Sequence, residues 1–201
     1  MNRDFAAHLE ALFACRACPN VMGEPVTGAV HNARVMLVGQ APGPREAALG
    51  KPFAYTAGKR LFQWFQSIGI DEETFRRRVY IGAVIRCFPG RDPKAGGDRV
   101  PDAFEIAQCA RHLDRELAML RPKFVIAVGT LAAKQLVGNA ELKAVVGRVH
   151  KITRAGHTFE VIVLPHPSGR STWTNKPEHQ ALLQESLRLI GTRMERRRSI
   201  T

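Results

Sequence analysis

The sequence predicts an α/β fold in which three layers, α/β/α, are built around a central, mainly parallel sheet of four strands. Four apolar, β-branched stretches lack regular alternation, as strands covered on both faces do. Segments with helical periodicity separate these stretches, and strands that alternate with helices form parallel sheets. The predicted strands are RVMLVG (34–39), VYIGAVIRC (79–87), KFVIAVG (123–129) and TFEVIVLP (158–165).

Amphipathic segments between and after these strands supply the helices of the two outer layers. The longest repeats its apolar residues at spacings of three and four, and Pro101 and Pro122 mark its ends. The others carry similar stripes, and Thr130 can cap the third. The four predicted helical segments are 57–70, 101–122, 130–138 and 177–191.

The length and net charge of the chain limit its domain organisation and the kind of partner that it binds. A chain of 201 residues suits one domain, which we assign to residues 1–192, followed by a basic tail at 193–201. The sequence has no apolar run long enough for a membrane span and no signal-like N-terminus, so we expect a cytoplasmic protein. We also expect it to be a monomer. The net charge of +12 and the pI near 10.3 favour a polyanionic partner, with nucleic acid as the first candidate.

Each predicted strand ends in an unusual loop. The loops are GQAPG after the first strand, CFPG at the end of the second, GT after the third and HPSG after the fourth. Ligands of parallel α/β sheets bind beyond the carboxyl ends of the strands. We therefore expect these loops to form one site along a single edge of the sheet.

Four cysteines are candidate metal ligands. Cys15 and Cys18 form a C-x-x-C pair, whereas Cys87 ends a strand and Cys109 lies in a helix. A cytosolic chain rarely contains structural disulfides, and zinc sites usually combine two closely spaced pairs. A [4Fe–4S] cluster accepts four thiolates from separate elements. Spacing alone leaves three alternatives open: the cluster, zinc, and buried cysteines without a metal.

The GQAPG loop is not a phosphate loop, because it matches neither the Walker A pattern nor G-x-G-x-x-G. Gly39 and Gly43 allow a ligand to approach the backbone closely, and Pro42 stiffens the turn. Backbone N–H groups and the Gln40 amide can therefore hydrogen-bond a planar neutral group or position a water.

Two further residues are candidates for contact with a nucleic acid base. His166 directly follows a strand at the expected edge, although a single histidine is more often structural. Phe53 lies in the glycine-bounded loop GKPFAYTAG, where it either joins the core or stacks on a base.

Taken together, these motifs resemble the uracil-DNA glycosylase superfamily, especially its iron–sulfur-containing family four and the related family five. The resemblance spans about residues 12 to 190. It is carried by GQAPG (compare GEAPG), GKPF (G-[RK]-P-F), IRCFPG (a strand ending in K-C-x-P-P), CARHL (C-x-x-[FWL]-L) and HPSG (H-P-S). It implies a [4Fe–4S] cluster on Cys15, Cys18, Cys87 and Cys109, in preference to zinc.

The resemblance also implies roles for the residues of the site. Phe53 matches the phenylalanine that stacks on the flipped base, and His166 matches the histidine that hydrogen-bonds the departing base. Ser168, Gly169 and Arg170 lie in the loop that enters the duplex. The base-binding residues are then Gly39, Gln40, Ala41, Phe53, Gly82 and His166.

Two positions depart from the family pattern. Gln40 stands where the motif has a glutamate, and we place Gly82 where family four has the asparagine that reads the edge of uracil. The absence of this asparagine implies a broader range of deaminated bases. Gln40 can orient a water but cannot deprotonate it, so Glu46, which matches a carboxylate of the family, is the candidate for electrostatic support. The expected catalytic residues are His166, Gln40 and Glu46.

The predicted partner is DNA that contains uracil or another deaminated base, and the predicted activity is N-glycosylase activity with base flipping. The predicted phosphate contacts are Arg45, Lys59, Arg91, Arg99 and Arg170. Two other readings remain open at this point. One is a non-catalytic DNA- or lesion-binding protein of the same fold, and the other is an iron–sulfur redox protein.

Overall fold

The computed structural model describes residues 3–94, 96–169 and 171–195. Its centre is a five-stranded sheet with the strand order β2-β1-β3-β5-β4. All neighbouring strands run parallel except β4 and β5. The strands are β1 (Val35–Gly39), β2 (Val79–Ala83), β3 (Phe124–Val128), β4 (Val149–Arg154) and β5 (His157–Leu164).

Helices cover both faces of this sheet, which confirms the three layers. Alternate residues of each strand point to opposite faces, so β1 contributes Met36 and Val38 to one core and Val35 and Leu37 to the other. The first core is completed by α1 (Arg3–Phe13), α5 (Ala103–Leu120), α6 (Thr130–Val137) and α7 (Leu142–Val145). The second is completed by α3 (Thr56–Gln66), α4 (Glu72–Arg78) and α8 (Pro177–Glu195).

The fold class is confirmed, but the sheet has a fifth strand that the sequence analysis missed. This strand, β4, lies at the edge of the sheet, and its residues are half-buried or exposed, so it lacks the apolar run of the other strands. It forms a hairpin with β5 through Ala155 and Gly156, whose φ angles are 51° and 74°. Two successive residues with positive φ are typical of a type I′ turn, but an Ala-Gly pair is a weak sequence signal for it.

The second predicted strand is shorter than expected. β2 ends at Ala83, and residues 84–87 turn across the end of β1. There Val84 N–H donates to Gly39 O at 2.9 Å, and Ile85 N–H donates to Gln40 O at 3.1 Å. The backbone that follows β2 therefore holds the GQAPG loop in place.

The C-terminal end of the chain bears on the predicted domain limits. Helix α8 continues through Arg193 to Glu195, so the first residues assigned to the basic tail are helical. Residues 196–201 lie outside the described part of the chain. Within the described ranges, no helix is both long and apolar enough to cross a membrane.

Candidate active site

A pocket of about 100 Å³ lies at the carboxyl ends of β1 and β2. The predicted catalytic and base-binding residues all line it, although they come from five separate segments of the chain. They are Gly39, Gln40, Ala41, Glu46, Phe53, Gly82 and His166. The carboxyl ends of parallel strands meet at one edge, which is why residues far apart in sequence converge here.

Phe53 forms one wall of the pocket in a constrained backbone conformation. Its φ of 51° lies in the left-handed region, which costs a residue other than glycine about 1–2 kcal/mol. Arg76 stabilises this turn, because its guanidinium donates to Pro52 O at 2.9 Å and to Phe53 O at 3.1 Å. A Cβ atom on Gly39 would lie 3.1 Å from Phe53 Cζ, so the glycine at the end of β1 leaves room for the ring.

His166 lies across the same pocket, just beyond the end of β5. The backbone N–H of Ser168 donates to His166 Nδ1 at 3.2 Å. Burial lowers the pKa of His166, while the nearby Asp98 carboxylate opposes this shift. The imidazole is therefore neutral near pH 7, and since Nδ1 accepts a hydrogen bond, its proton resides on Nε2. His166 thus has an N–H donor available for a ligand.

Gly129 fixes the position of the imidazole from behind. A Cβ atom on this glycine would lie 3.2 Å from His166 Cδ2, and the φ of Gly129 is 88°. A larger residue would both strain the backbone and push the ring. The GT loop that follows β3 therefore contributes to the site by allowing His166 to pack closely.

Glu46 is buried and has a structural partner. It lies in the first turn of α2 (Pro44–Leu49), where its Oε2 accepts the N–H of Gly43 at 3.1 Å. A carboxylate in this position accepts a hydrogen bond from a backbone N–H that has no partner within the helix. It also interacts favourably with the positive end of the helix dipole. Glu46 therefore holds the GQAPG loop against α2 and also places a carboxyl group at the pocket.

The structure gives Gly82 a different relation to the pocket from the one expected. A Cβ atom on Gly82 would lie 2.3 Å from Arg86 Nη1, so a side chain at this position would point at the buried Arg86. The next residue, Ala83, also lines the pocket and pairs with Gly39 on β1. A Cβ atom on Gly39 would point at the ring of Phe53. Paired residues of neighbouring strands face the same side, so position 83 presents its side chain beside Phe53.

Asp98 is a pocket residue that the sequence analysis did not identify. It lines the same pocket as Gln40 and His166, although its own side chain is exposed to solvent. It belongs to the charged, glycine-rich loop GRDPKAGGDR, whose composition gives no indication of which residue faces the site. Only the way the loop folds back brings Asp98 to the sheet edge.

The four cysteines line a second cavity of about 100 Å³. Cys15 and Cys18 follow α1, Cys87 follows β2, and Cys109 lies on α5, and all four thiols are free. Burial, followed by the charge of Cys109, raises the pKa of Cys87 to about 12. Burial also raises the pKa of Cys18 and of Cys109. The cavity therefore disfavours thiolates unless a positive group accompanies them.

The donor set of this cavity fits an iron–sulfur cluster. Four sulfur ligands from three segments match the all-thiolate coordination of such a cluster, and the cavity has room for more than one atom. In the described part of the chain, no group of three or more His, Cys, Asp or Glu side chains is arranged to hold a metal ion.

The predicted phosphate contacts differ in their surroundings. Arg45, Lys59 and Arg91 are exposed, and the Arg45 guanidinium lies 4.6 Å from the centroid of Tyr55. Arg99 is not available, because it donates to Glu105 Oε2 and Oε1 at 2.9 and 2.6 Å and to Pro89 O at 2.8 Å. The structure thus gives Arg99 an anchoring role. Ser168 and Gly169 follow His166 at the same edge, while Arg170 lies outside the described residues.

Comparison with known families agrees with this architecture. A sequence model of the Uracil DNA glycosylase superfamily matches residues 25–188, which include every residue of the base pocket. The chain belongs to the uracil DNA glycosylase superfamily.

Curated relatives within this superfamily bear the names of two of its types. The chain is 33% identical to a type-4 uracil-DNA glycosylase of Archaeoglobus fulgidus over 69% of its length and 67% of that protein. It is 27% identical to the type-4 uracil-DNA glycosylase of Sulfurisphaera tokodaii over 90% of its length and 80% of that protein. A type-5 uracil-DNA glycosylase of Pyrobaculum aerophilum is 31% identical over 50% of the chain and 46% of that protein.

Proposed function

We propose that the chain is a uracil-DNA glycosylase that cleaves the N-glycosidic bond of uracil, and of other deaminated bases, in DNA. The target base would flip out of the duplex into the pocket, and an abasic site would remain after its release. The observation that carries this proposal is the joint placement of Phe53 and the His166 Nε2–H on one pocket at the edge of the sheet. The names of the relatives support the same activity.

The chemistry follows from what these two side chains can do. Phe53 offers an aromatic face on which the flipped base can stack, and such stacking contributes about 1–3 kcal/mol per base. When the glycosidic bond breaks, the base departs with the bonding electron pair as an anion. A hydrogen bond from His166 Nε2–H to a base oxygen would stabilise this charge as it develops, by about 3–4 kcal/mol for a well-placed donor.

The remaining sugar cation must react with water. The Gln40 amide, which lines the pocket directly after the end of β1, can orient this water without taking its proton. Glu46 would stabilise the positive charge of the sugar from its place beside Gly43. The exposed residues Arg45, Lys59 and Arg91 are the candidates for binding the phosphates of the DNA. We also expect the protein to be a cytoplasmic monomer.

Base release from defined oligonucleotides tests the proposal. Single- and double-stranded oligonucleotides that carry uracil, hypoxanthine or xanthine are incubated with the protein, and abasic sites are then cleaved with alkali. We expect strand cleavage at uracil above all. Binding without cleavage at every deaminated base would favour the non-catalytic DNA-binding alternative.

We also propose that Cys15, Cys18, Cys87 and Cys109 hold a [4Fe–4S] cluster. The supporting observation is that these thiols line one cavity. The cluster would supply four metal–sulfur bonds that join the segment after α1 to the turn after β2 and to α5. Because Met22 N–H donates to Phe88 O and Arg99 donates to Asn20 O, the cysteine-bearing segment also contacts the loop beside the base pocket.

Substitution of a ligand should remove the cluster. For Cys109→Ser we expect loss of the visible thiolate-to-iron absorption and a lower midpoint of thermal unfolding. The unmodified protein, prepared without oxygen, should contain about four iron and four sulfide atoms per chain. One zinc and no iron per chain, measured by elemental analysis, would instead identify a zinc site.

Position 83 should determine how narrowly the pocket selects uracil. Ala83→Asn places an amide beside Phe53, where it can hydrogen-bond the edge of uracil, so we expect the ratio of uracil to hypoxanthine excision to rise roughly 10-fold. Competing oligonucleotides in one reaction measure this ratio. Gly82→Asn is the matched control, because its side chain would meet Arg86 and should reduce stability without sharpening selectivity. Equal ratios for all three proteins would show that position 83 does not contact the base.

A further inference from the structure

The base pocket contains a second carboxylate that the proposed mechanism leaves without a role. Asp98 lines the pocket together with Gln40, Glu46 and His166. A Cβ atom on Gly43 would lie 2.7 Å from Glu46 Oε2 and 3.5 Å from Asp98 Oδ2, so both carboxylates approach the space that a side chain at this glycine would occupy. Asp98 is also close enough to His166 to oppose the effect of burial on that residue.

The loop that carries Asp98 is fastened at both ends. Arg91 and Asp98 form an antiparallel bridge, and Asp92 N–H donates to Gly97 O at 2.7 Å. The next residue, Arg99, forms an ion pair with the buried Glu105 and hydrogen-bonds the backbone at Pro89. Arg99 N–H also donates to Gly90 O at 2.9 Å. These contacts fix the backbone of Asp98 at the edge of the pocket.

The two carboxylates differ in their exposure to solvent and in their hydrogen bonds. Glu46 is buried, and its Oε2 accepts the Gly43 N–H at the start of α2. Asp98 is exposed to solvent, and the hydrogen bonds and ion pairs found among the described residues do not include its carboxylate. A carboxylate with free lone pairs at the mouth of a pocket can accept a proton from a bound water.

We propose that Asp98 is a catalytic residue that accepts the proton of the attacking water, in place of the glutamate that Gln40 replaces. This inference rests on the proposed glycosylase function. The bond between C1′ and the base nitrogen breaks, and its electron pair leaves with the base. The water oxygen, held by Gln40, forms the new bond to C1′, and one of its protons passes to Asp98. That proton then returns through solvent to the base anion, so the net reaction is hydrolysis.

The test compares single-turnover rates of uracil release by the wild-type chain and by Asp98→Asn, Asp98→Glu, Glu46→Gln and Glu10→Gln. For Asp98→Asn we expect the rate of the chemical step to fall by about 10²-fold or more, while binding to uncleaved DNA is kept. Asp98→Glu should recover part of the rate. Glu10→Gln, which removes one negative charge from the exposed side of α1, should leave the rate unchanged.

The outcomes separate this inference from the function on which it rests. Wild-type rates in Asp98→Asn, or a large loss in Glu46→Gln alone, would overturn the role of Asp98 and leave the glycosylase function standing. If the wild-type chain releases no base from any substrate, the glycosylase function and the role of Asp98 both fail.

Discussion

His166→Ala is expected to lower the rate of base excision by about 10²–10³-fold, which is the usual effect of removing one donor that stabilises a developing anion. The physical reason is the orientation of the ring. Ser168 N–H occupies Nδ1, Gly129 packs behind Cδ2, and the remaining N–H at Nε2 is therefore free to donate to the base. The measurement is the single-turnover rate of uracil release, with DNA binding determined in parallel.

A second histidine provides the control for this substitution. His31 precedes β1, at the opposite end of the strand from the pocket, and its ring contacts Phe5 edge-on. His31→Ala should release uracil at the wild-type rate. Wild-type excision by His166→Ala would remove the histidine from the mechanism, and loss of DNA binding together with excision would mean that the ring shapes the site instead.

The convergence of the base pocket could be predicted because it depends on topology alone. Once the strands are assigned as parallel, the residues that follow them must meet at one edge, and Gln40 and His166 do so. No knowledge of side-chain packing is needed for this step. The same argument explains why the omission of β4, a half-exposed strand at the edge of the sheet, caused no error in the predicted position of the site.

The contacts that the sequence analysis did not foresee join distant parts of the chain. Arg76 reaches back to the carbonyl groups of Pro52 and Phe53, and Arg99 pairs with Glu105 on α5. Nothing in the sequence around either arginine distinguishes it from an arginine that is solvated or that binds a phosphate. Asp98 owes its place to a loop that the contacts of Arg99 with Glu105 and Pro89 hold in position, so only the structure identifies it.

Gly58→Ala should show whether the position of Phe53 affects excision activity separately from the stability of the fold. Gly58 lies in the first turns of α3, and a Cβ atom there would lie 1.8 Å from the carbonyl oxygen of Phe53. Because that contact is with backbone, the turn that carries Phe53 must move. We expect kcat/KM for uracil excision to fall by about 10- to 100-fold, as the loss of one base-stacking contact of about 1–3 kcal/mol would give.

The matched control is Gly191→Ala in α8, where the added Cβ would lie 3.6 Å from the Cβ of Ile68, an ordinary contact. Alanine has a higher helix propensity than glycine, so this variant should raise the free energy of unfolding by up to about 1 kcal/mol and leave excision unchanged. Denaturant unfolding and kcat/KM are measured on both variants. If Gly58→Ala behaves like Gly191→Ala, Phe53 does not depend on Gly58 for its position. If excision falls as expected, the absence of a side chain at position 58 is what allows the strained turn at Phe53 to present its ring to the base.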